Sequence, residues 1–382
     1  MDVNYHFTLY YVLLYGLIGI VRLLPIALGC PSAIIIIVKR MWDVFGQSKA
    51  VNLLDSSAVA GRLAHAYLFI GPEHIGKKTL ALNLARALNC LGDDVPCGDC
   101  VPCARILAGA NSDVQIISLA DGAKEIGIDQ IRDVQHTASL KAYESKYRVF
   151  IIDGAQHLST EASNSLLKTL EEPPENVLLI LTAVHKGQVM PTILSRCQTV
   201  QLHPVPIGVI AQALVDRWGV ERERANMLAG FSGGAIGWAL EAIEDASIIV
   251  ERADILDKAI GVGSAGINER FNWAAEMATL FGQDKAAVFF SLGLWTGWWR
   301  DILLYKQNCL NLVINLDRLE LIKKLASIYG VKQISEFVNS IQSAVYNLRR
   351  NVNPRLTLEV LMLSIPKMDD ERRQRETRSV SF

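Results

Sequence analysis

The stretch HAYLFIGPEHIGKKTLALNLARAL, residues 65–88, decides the fold. His65–Ile70 is a short apolar run that stops at Gly71-Pro72, which predicts a buried strand. Apolar residues at Leu80, Leu82, Leu84, Ala85, Ala87 and Leu88 predict a helix over Lys78–Leu91. Gly71–Thr79 lies between them, and Gly71, Gly76 and Lys77 satisfy G-x-x-x-x-G-K. Glycines let backbone N–H groups face phosphate oxygens, while the helix start and Lys77 supply positive charge. The next residue should carry a hydroxyl for Mg²⁺, but here it is Lys78, with Thr79 one residue late. One residue turns a helix by about 100°, so Thr79 does not simply take over that role. Two readings stand: a nucleotide site made of Gly71, Gly76, Lys77 and Thr79, or a loop that keeps the fold and binds no nucleotide.

Working outward, RVFIID (Arg148–Asp153) is a second apolar run, and it ends in an acid. P-loop proteins place a Mg²⁺-holding carboxylate at such a strand end, which makes Asp153 a further candidate for the nucleotide site. The water-activating Glu that often follows is replaced by Gly154. Ser159–Glu172 reads as a helix capped by Ser159 and stopped by Pro173-Pro174, and Val177–Thr182 as another buried strand. In PTILSRCQTVQLHPV, from Pro191 to Val205, Arg196 follows a short helical turn and precedes a strand. It is either a surface ion-pair residue or an arginine finger presented to a neighbour's nucleotide.

Four of the seven cysteines lie close together: Cys90, Cys97, Cys100 and Cys103, spaced C-x₆-C-x₂-C-x₂-C. Four thiolates can close a tetrahedral shell around Zn²⁺. A disulfide framework does not suit the reducing interior in which P-loop machinery works, and nothing else points to an iron–sulfur cluster. The expectation is structural zinc, with no open position for catalysis. Cys30, Cys197 and Cys309 read as small apolar residues.

The 382 residues carry net charge −1, 51% apolar residues and a mean hydropathy of +0.24. This excludes a disordered, collagenous or disulfide-scaffold protein and argues against a strongly basic nucleic-acid coat. The hydropathy is concentrated in residues 1–40, where 27 are apolar and only Asp2, Arg22, Lys39 and Arg40 are charged. Arg22 and Pro25 interrupt a clean span of about 20 residues. This front is a membrane anchor, a buried appendage, or upstream sequence joined by a misplaced start, with Met41 the true initiator. The second half is helical, with a glycine-rich break at Gly230–Gly237. It carries a core face of Trp295, Trp298 and Trp299, and a helix start at Asn353-Pro354. Lys367–Phe382, with nine charges, reads as a solvated tail.

HAYLFIGP, the glycine loop, the four cysteines, NSLLKTLEEPP and TILSRC occur in this order in the clamp-loader AAA+ subunits of bacterial DNA polymerase III, which this chain resembles over about residues 41–366. The opening WDVFGQSKAV, Trp42–Val51, resembles that family's start. The resemblance implies an α/β RecA-like AAA+ domain with a zinc module over 41–203, an all-α lid over 204–265 and an all-α collar over 266–366. It also implies a cytoplasmic component of the DNA polymerase III holoenzyme, a DNA-directed DNA polymerase complex. The partners would be gamma/tau and delta subunits in a five-membered ring, the sliding clamp and primer–template DNA, with no membrane. Matched residue by residue, Arg196 in Ser195-Arg196-Cys197 is the finger, Cys90, Cys97, Cys100 and Cys103 hold zinc, and Gly71, Gly76, Lys77 and Asp153 belong to an ATP/Mg²⁺ site. Three departures, Lys78, Gly154 and Gly237 (where ATPase members carry a phosphate-sensing Arg in the lid), favour the non-hydrolysing delta-prime group. The alternative is the gamma/tau ATPase group.

Overall fold

Apolar runs of five to seven residues form the three inner strands, shorter mixed runs form the two edge strands, and amphipathic helices cover both faces of the sheet they make. The computed structural model describes residue 42 and residues 44–120, 123, 125–350 and 352–366. The expectations for residues 1–40, for Met41 and for the tail 367–382 lie outside these. Helix α1 is Ser48–Val59, followed by β1 Ala66–Ile70, α2 Lys77–Asn89, α3 Val101–Leu107, β2 Val114–Ile117 and α4 Ile128–Ala138. Next come β3 Arg148–Ile152, α5 Thr160–Glu171, β4 Val177–Ala183, α6 Pro191–Leu194 and β5 Gln198–Gln201. All strand pairings are parallel, in the order β2-β3-β4-β1-β5. Strand β4 therefore separates β1, which feeds the glycine loop, from β3, which feeds Asp153.

A parallel sheet covered on both faces needs apolar residues at every strand position. Leu68, Ile70, Phe150, Ile152, Leu179 and Leu181 pack with α4 and α5 on one face. Tyr67, Phe69, Val149, Ile151, Leu178 and Ile180 pack with α1 and α2 on the other. Fully burying such side chains is worth about 1.5–3 kcal/mol each. At the sheet edge, Asp113 accepts hydrogen bonds from Arg148 Nε and Nη2 and from the backbone N–H of Tyr143, Glu144 and Ser145.

Helix α2 ends two residues before the expected Leu91. The Asn89 side chain pairs with the Tyr147 backbone in both directions, and Cys90 is extended. Ser159 caps α5 by accepting from Ala162 N at 3.1 Å. The Ser159 cap matches the sequence reading.

The remainder is helical among the described residues. Helices α7 Ile207–Trp218, α8 Arg222–Phe231 and α9 Ile236–Glu244 share one apolar core. Helix α10, Ser247–Ser264, leads to α11 Ile267–Gln283, α12 Lys285–Lys306, α13 Leu319–Ile328, α14 Val331–Arg349 and α15 Pro354–Leu363. Trp295 and Trp299 of α12 meet Phe337 of α14 edge-on at 5.0 and 4.9 Å, and Trp298 is buried beside them. The tryptophan face is core, as its spacing predicts. Asp301, in the last turns of α12, is fully buried and accepts from Ile314 N, Asn315 N and Asn315 Nδ2. Arg252 of α10 donates to Asn315 and lies 3.8 Å over the Phe231 ring, joining the two helical groups. No described helix is long and apolar enough to cross a membrane.

Candidate functional site

Parallel strands place their C-terminal ends on one side, so the loops after β1, β3 and β4 converge. They line a cleft of about 660 Å³ that also receives α7 and α9. Gly76 adopts φ +97°, a conformation L side chains rarely take, and starts α2. Gly71 lies beneath the loop rather than in the cleft, and a Cβ there would come within 2.9 Å of Leu202 O. Lys77 and Thr79 line the cleft. Lys77 Nζ donates to the Gly71 and Pro72 carbonyls at 2.8 and 2.6 Å. Burial pushes the Lys77 ammonium below its ordinary range, and Glu73 and Asp153 act against that shift.

Asp153 reaches the cleft from the end of β3. Thr182 of β4 donates to its Oδ1 at 2.8 Å and accepts from Gly154 N at 2.9 Å. Sequence reasoning missed Thr182; the available signal was a lone hydroxyl near the end of the apolar run VLLILTA. Lys78 Nζ lies 3.9 Å from Asp153 Oδ2, so the ammonium of a half-exposed side chain faces that carboxylate. Gly154 has φ +90°, and a Cβ on it would meet His157 Cδ2 at 2.8 Å. A glutamate side chain has no strain-free place there.

The third departure is explained by a close approach. Gly237 N, at the start of α9, donates to His74 O at 2.9 Å, and a Cβ on Gly237 would lie 2.6 Å from that oxygen. His74 Nδ1 also meets Glu241 Oε1 at 2.9 Å. Helix α9 thus rests directly on the glycine loop, and an arginine at 237 would require it to lift away.

Arg196 is placed elsewhere. It precedes β5, whose Gln198 is level with Tyr67, so Arg196 is level with His65 at the N-terminal ends of the strands. Gly71 is six residues further along β1, about 20 Å away at 3.3 Å per residue. Arg196 is absent from the cleft lining. Its guanidinium donates to Glu171 Oε1 at 2.6 Å, Thr192 O at 3.1 Å and Ser195 Oγ at 3.3 Å. Cys197 beside it is half-buried among apolar residues, and burial pushes its thiol up to about 12.

The sulfur atoms of Cys90, Cys97, Cys100 and Cys103 all lie within 4.8 Å of one another. A tetrahedral ion at about 2.3 Å from each sulfur needs sulfurs about 3.8 Å apart, so the four residues fit a metal ion. Backbone N–H groups of Gly92 and Cys97 point at Cys90 Sγ, and Cys100 N points at Cys97 Sγ. Gly92 is needed here, because a Cβ would meet Cys97 Cβ at 2.9 Å. The module hangs from the C-terminal end of α2, with Arg86 of that helix buried beside it.

The family described as "DNA polymerase III, delta subunit" matches residues 46–206, and "DNA polymerase III, delta subunit, C terminal" matches residues 268–367. DNA polymerase III subunit delta' of Bacillus subtilis is 29% identical over 320 residues, spanning 84% of this chain and 96% of its own length. DNA polymerase III subunit tau of the same organism is 29% identical over 357 residues, 86% of this chain and 61% of that protein. DNA polymerase III subunit gamma/tau of Mycobacterium tuberculosis H37Rv is 39% identical over 156 residues, 40% of this chain and 27% of that protein. The chain thus spans less than two thirds of the tau and gamma/tau relatives, but nearly all of the delta' relative.

Proposed function

The chain belongs to the DNA polymerase III clamp-loader AAA+ family, and from that premise we propose that it is a delta-prime-like subunit that helps load a sliding clamp onto primed DNA. Its partners would be gamma/tau-type and delta-type subunits in a five-membered ring, with the clamp and primer–template DNA reached through that assembly. The work would be done in the cytoplasm, within the DNA polymerase III holoenzyme. The four cysteines would hold one structural Zn²⁺.

One observation carries this reading: Arg196 precedes β5 at the N-terminal ends of the strands, the opposite end of the sheet from the chain's own glycine loop, which the rise of the intervening strand puts about 20 Å away. A guanidinium there cannot serve its own nucleotide but can serve the nucleotide of an adjacent subunit, where it would stabilise charge developing on the transferred phosphoryl group. The chain's own cleft is poorly suited to hydrolysis. Lys78 stands at the metal-ligand position facing Asp153, Gly154 bears no base, and Gly237 leaves α9 without the phosphate-sensing arginine. Binding of ATP without turnover remains compatible with Lys77 and Thr79 lining the cleft.

The test is reconstitution of the complex with and without Arg196→Ala. Assembly should be intact, and ATP turnover should fall by at least about tenfold, a modest figure for a finger that can be worth 10³ or more in related phosphoryl transfer. Unchanged turnover would reduce Arg196 to a structural residue. Robust Mg²⁺-dependent turnover by the isolated chain would replace the proposal with a gamma/tau-like ATPase.

A further inference from the structure

We propose that Glu171 is the positioning residue for Arg196, fixing the orientation of its guanidinium before any neighbour docks; this rests on the reading that Arg196 acts on an adjacent subunit's nucleotide. An arginine side chain on a surface loop samples many rotamers, and ordering it on demand costs free energy at each productive encounter. Here the side chain is already held. Arg196 Nη1 donates to Thr192 O and Ser195 Oγ, and Nη2 donates to Glu171 Oε1. A guanidinium has five N–H donors; with three engaged, two remain for phosphate oxygens.

The three acceptors differ in rigidity and reach. Thr192 O and Ser195 Oγ belong to the same short turn as Arg196, so they move with it. Glu171 comes from 25 residues earlier, at the last position of α5. That helix is anchored by buried Leu166 and Leu170 and is stopped by Pro173-Pro174. Glu171 therefore ties the side chain to the sheet-packed body of the domain. The carboxylate's part is directional: it sets where the planar guanidinium fork points. The ordinary reading, a surface ion pair of little consequence, has the partial exposure of both partners in its favour. It predicts that removing Glu171 changes nothing in the assembled complex.

The experiment is steady-state ATP turnover against ATP concentration by the reconstituted complex with clamp and primer–template DNA. It compares Glu171→Ala, Glu171→Gln, Arg196→Ala and the double substitution Glu171→Ala with Arg196→Ala. Assembly is checked by gel filtration and folding by thermal melting. Glu171→Ala should lower kcat by about three- to tenfold with KM for ATP within about twofold, the size expected for losing pre-orientation of one long side chain. Glu171→Gln keeps an acceptor oxygen and should lose less. The double substitution should be no slower than Arg196→Ala alone, because Glu171 acts only through Arg196. If Arg196→Ala is slow while Glu171→Ala is unchanged or faster, the positioning role is overturned and the finger stands. Additive losses in the double substitution overturn it too. If Arg196→Ala itself has no effect, the finger reading fails, and the positioning role fails with it.

Discussion

Replacing Asp113 by alanine should cost more stability than almost any other single polar change in the α/β half. The carboxylate is fully buried and accepts from Arg148 Nε and Nη2 at 3.1 and 2.8 Å, Glu144 N at 2.8 Å, Ser145 N at 2.9 Å and Tyr143 N at 2.9 Å. Without it, Arg148, whose side chain is only 7% exposed, keeps only the carbonyls of Thr137, Leu140 and Lys141. Breaking one side of a buried pair costs about 3–5 kcal/mol. Three backbone N–H groups also lose their acceptor, at about 1 kcal/mol each where water cannot replace it. These terms overlap, so the expected loss is about 4–6 kcal/mol, a large share of the ~5–15 kcal/mol that holds a domain together.

Urea unfolding followed by circular dichroism measures it, with Asp129→Ala as control. Asp129 is 89% exposed in its pair with Arg132, so its loss should stay within about 0.5 kcal/mol. A cost at Asp113 below about 1 kcal/mol, no larger than the control, would refute the reasoning. The pH profile supplies a second check. Burial alone would raise the Asp113 carboxyl, but the N–H donors of Glu144 and Tyr143 and the Arg148 guanidinium outweigh it and hold the group below its ordinary range. A depressed carboxylate contributes fully above its unfolded-chain pKa, near ~3.9, and loses that contribution as pH falls through the lower folded value. The gap between native protein and Asp113→Ala should be constant from neutral pH down to about 5 and should close below about 4.

Metal analysis of the purified chain should find about one Zn per chain, and Cys97→Ser should lose it and lower the Tm; a metal-free, fully stable protein would defeat the Cys₄ assignment. Gly237→Ala should cost about 1–3 kcal/mol by thermal unfolding, because its Cβ falls 2.6 Å from His74 O, whereas Gly261→Ala, with nothing nearby in α10, should be neutral or slightly stabilising. Equal effects at the two glycines would mean that α9 does not rest on the loop.

Much of the fold was legible because it rests on local chemistry. The strand at 66–70, its glycine turn and the helix from Lys77 follow from apolar runs and from residues that only certain backbone conformations accept. Ser159 and Asn353 start helices through hydrogen bonds spanning three residues, which any sequence window contains. The spacing of four cysteines pointed to the cluster that the fold brings together, and Lys78 stood out as a departure from G-x-x-x-x-G-K-[ST] at a position defined by its neighbours in the chain.

Other features depend on segments far apart in sequence. Thr182 became part of the Asp153 corner only because β4 was inserted between β1 and β3. Asp113 and Arg148 each look like a misplaced charge beside an apolar strand until the parallel pairing of β2 and β3 brings them together. Gly237 reads as a missing arginine in sequence, and tertiary packing gives it a cause: α9 touches the glycine loop where no side chain fits. The sequence by itself thus determined the elements, the glycine loop, the cysteine module and the arginine after TILS. Only the tertiary structure decided that this arginine stands at the far end of the sheet from its own loop, tied to Glu171. Direction along a parallel sheet is a property of strand order and register, and neither is written in any local stretch of the chain.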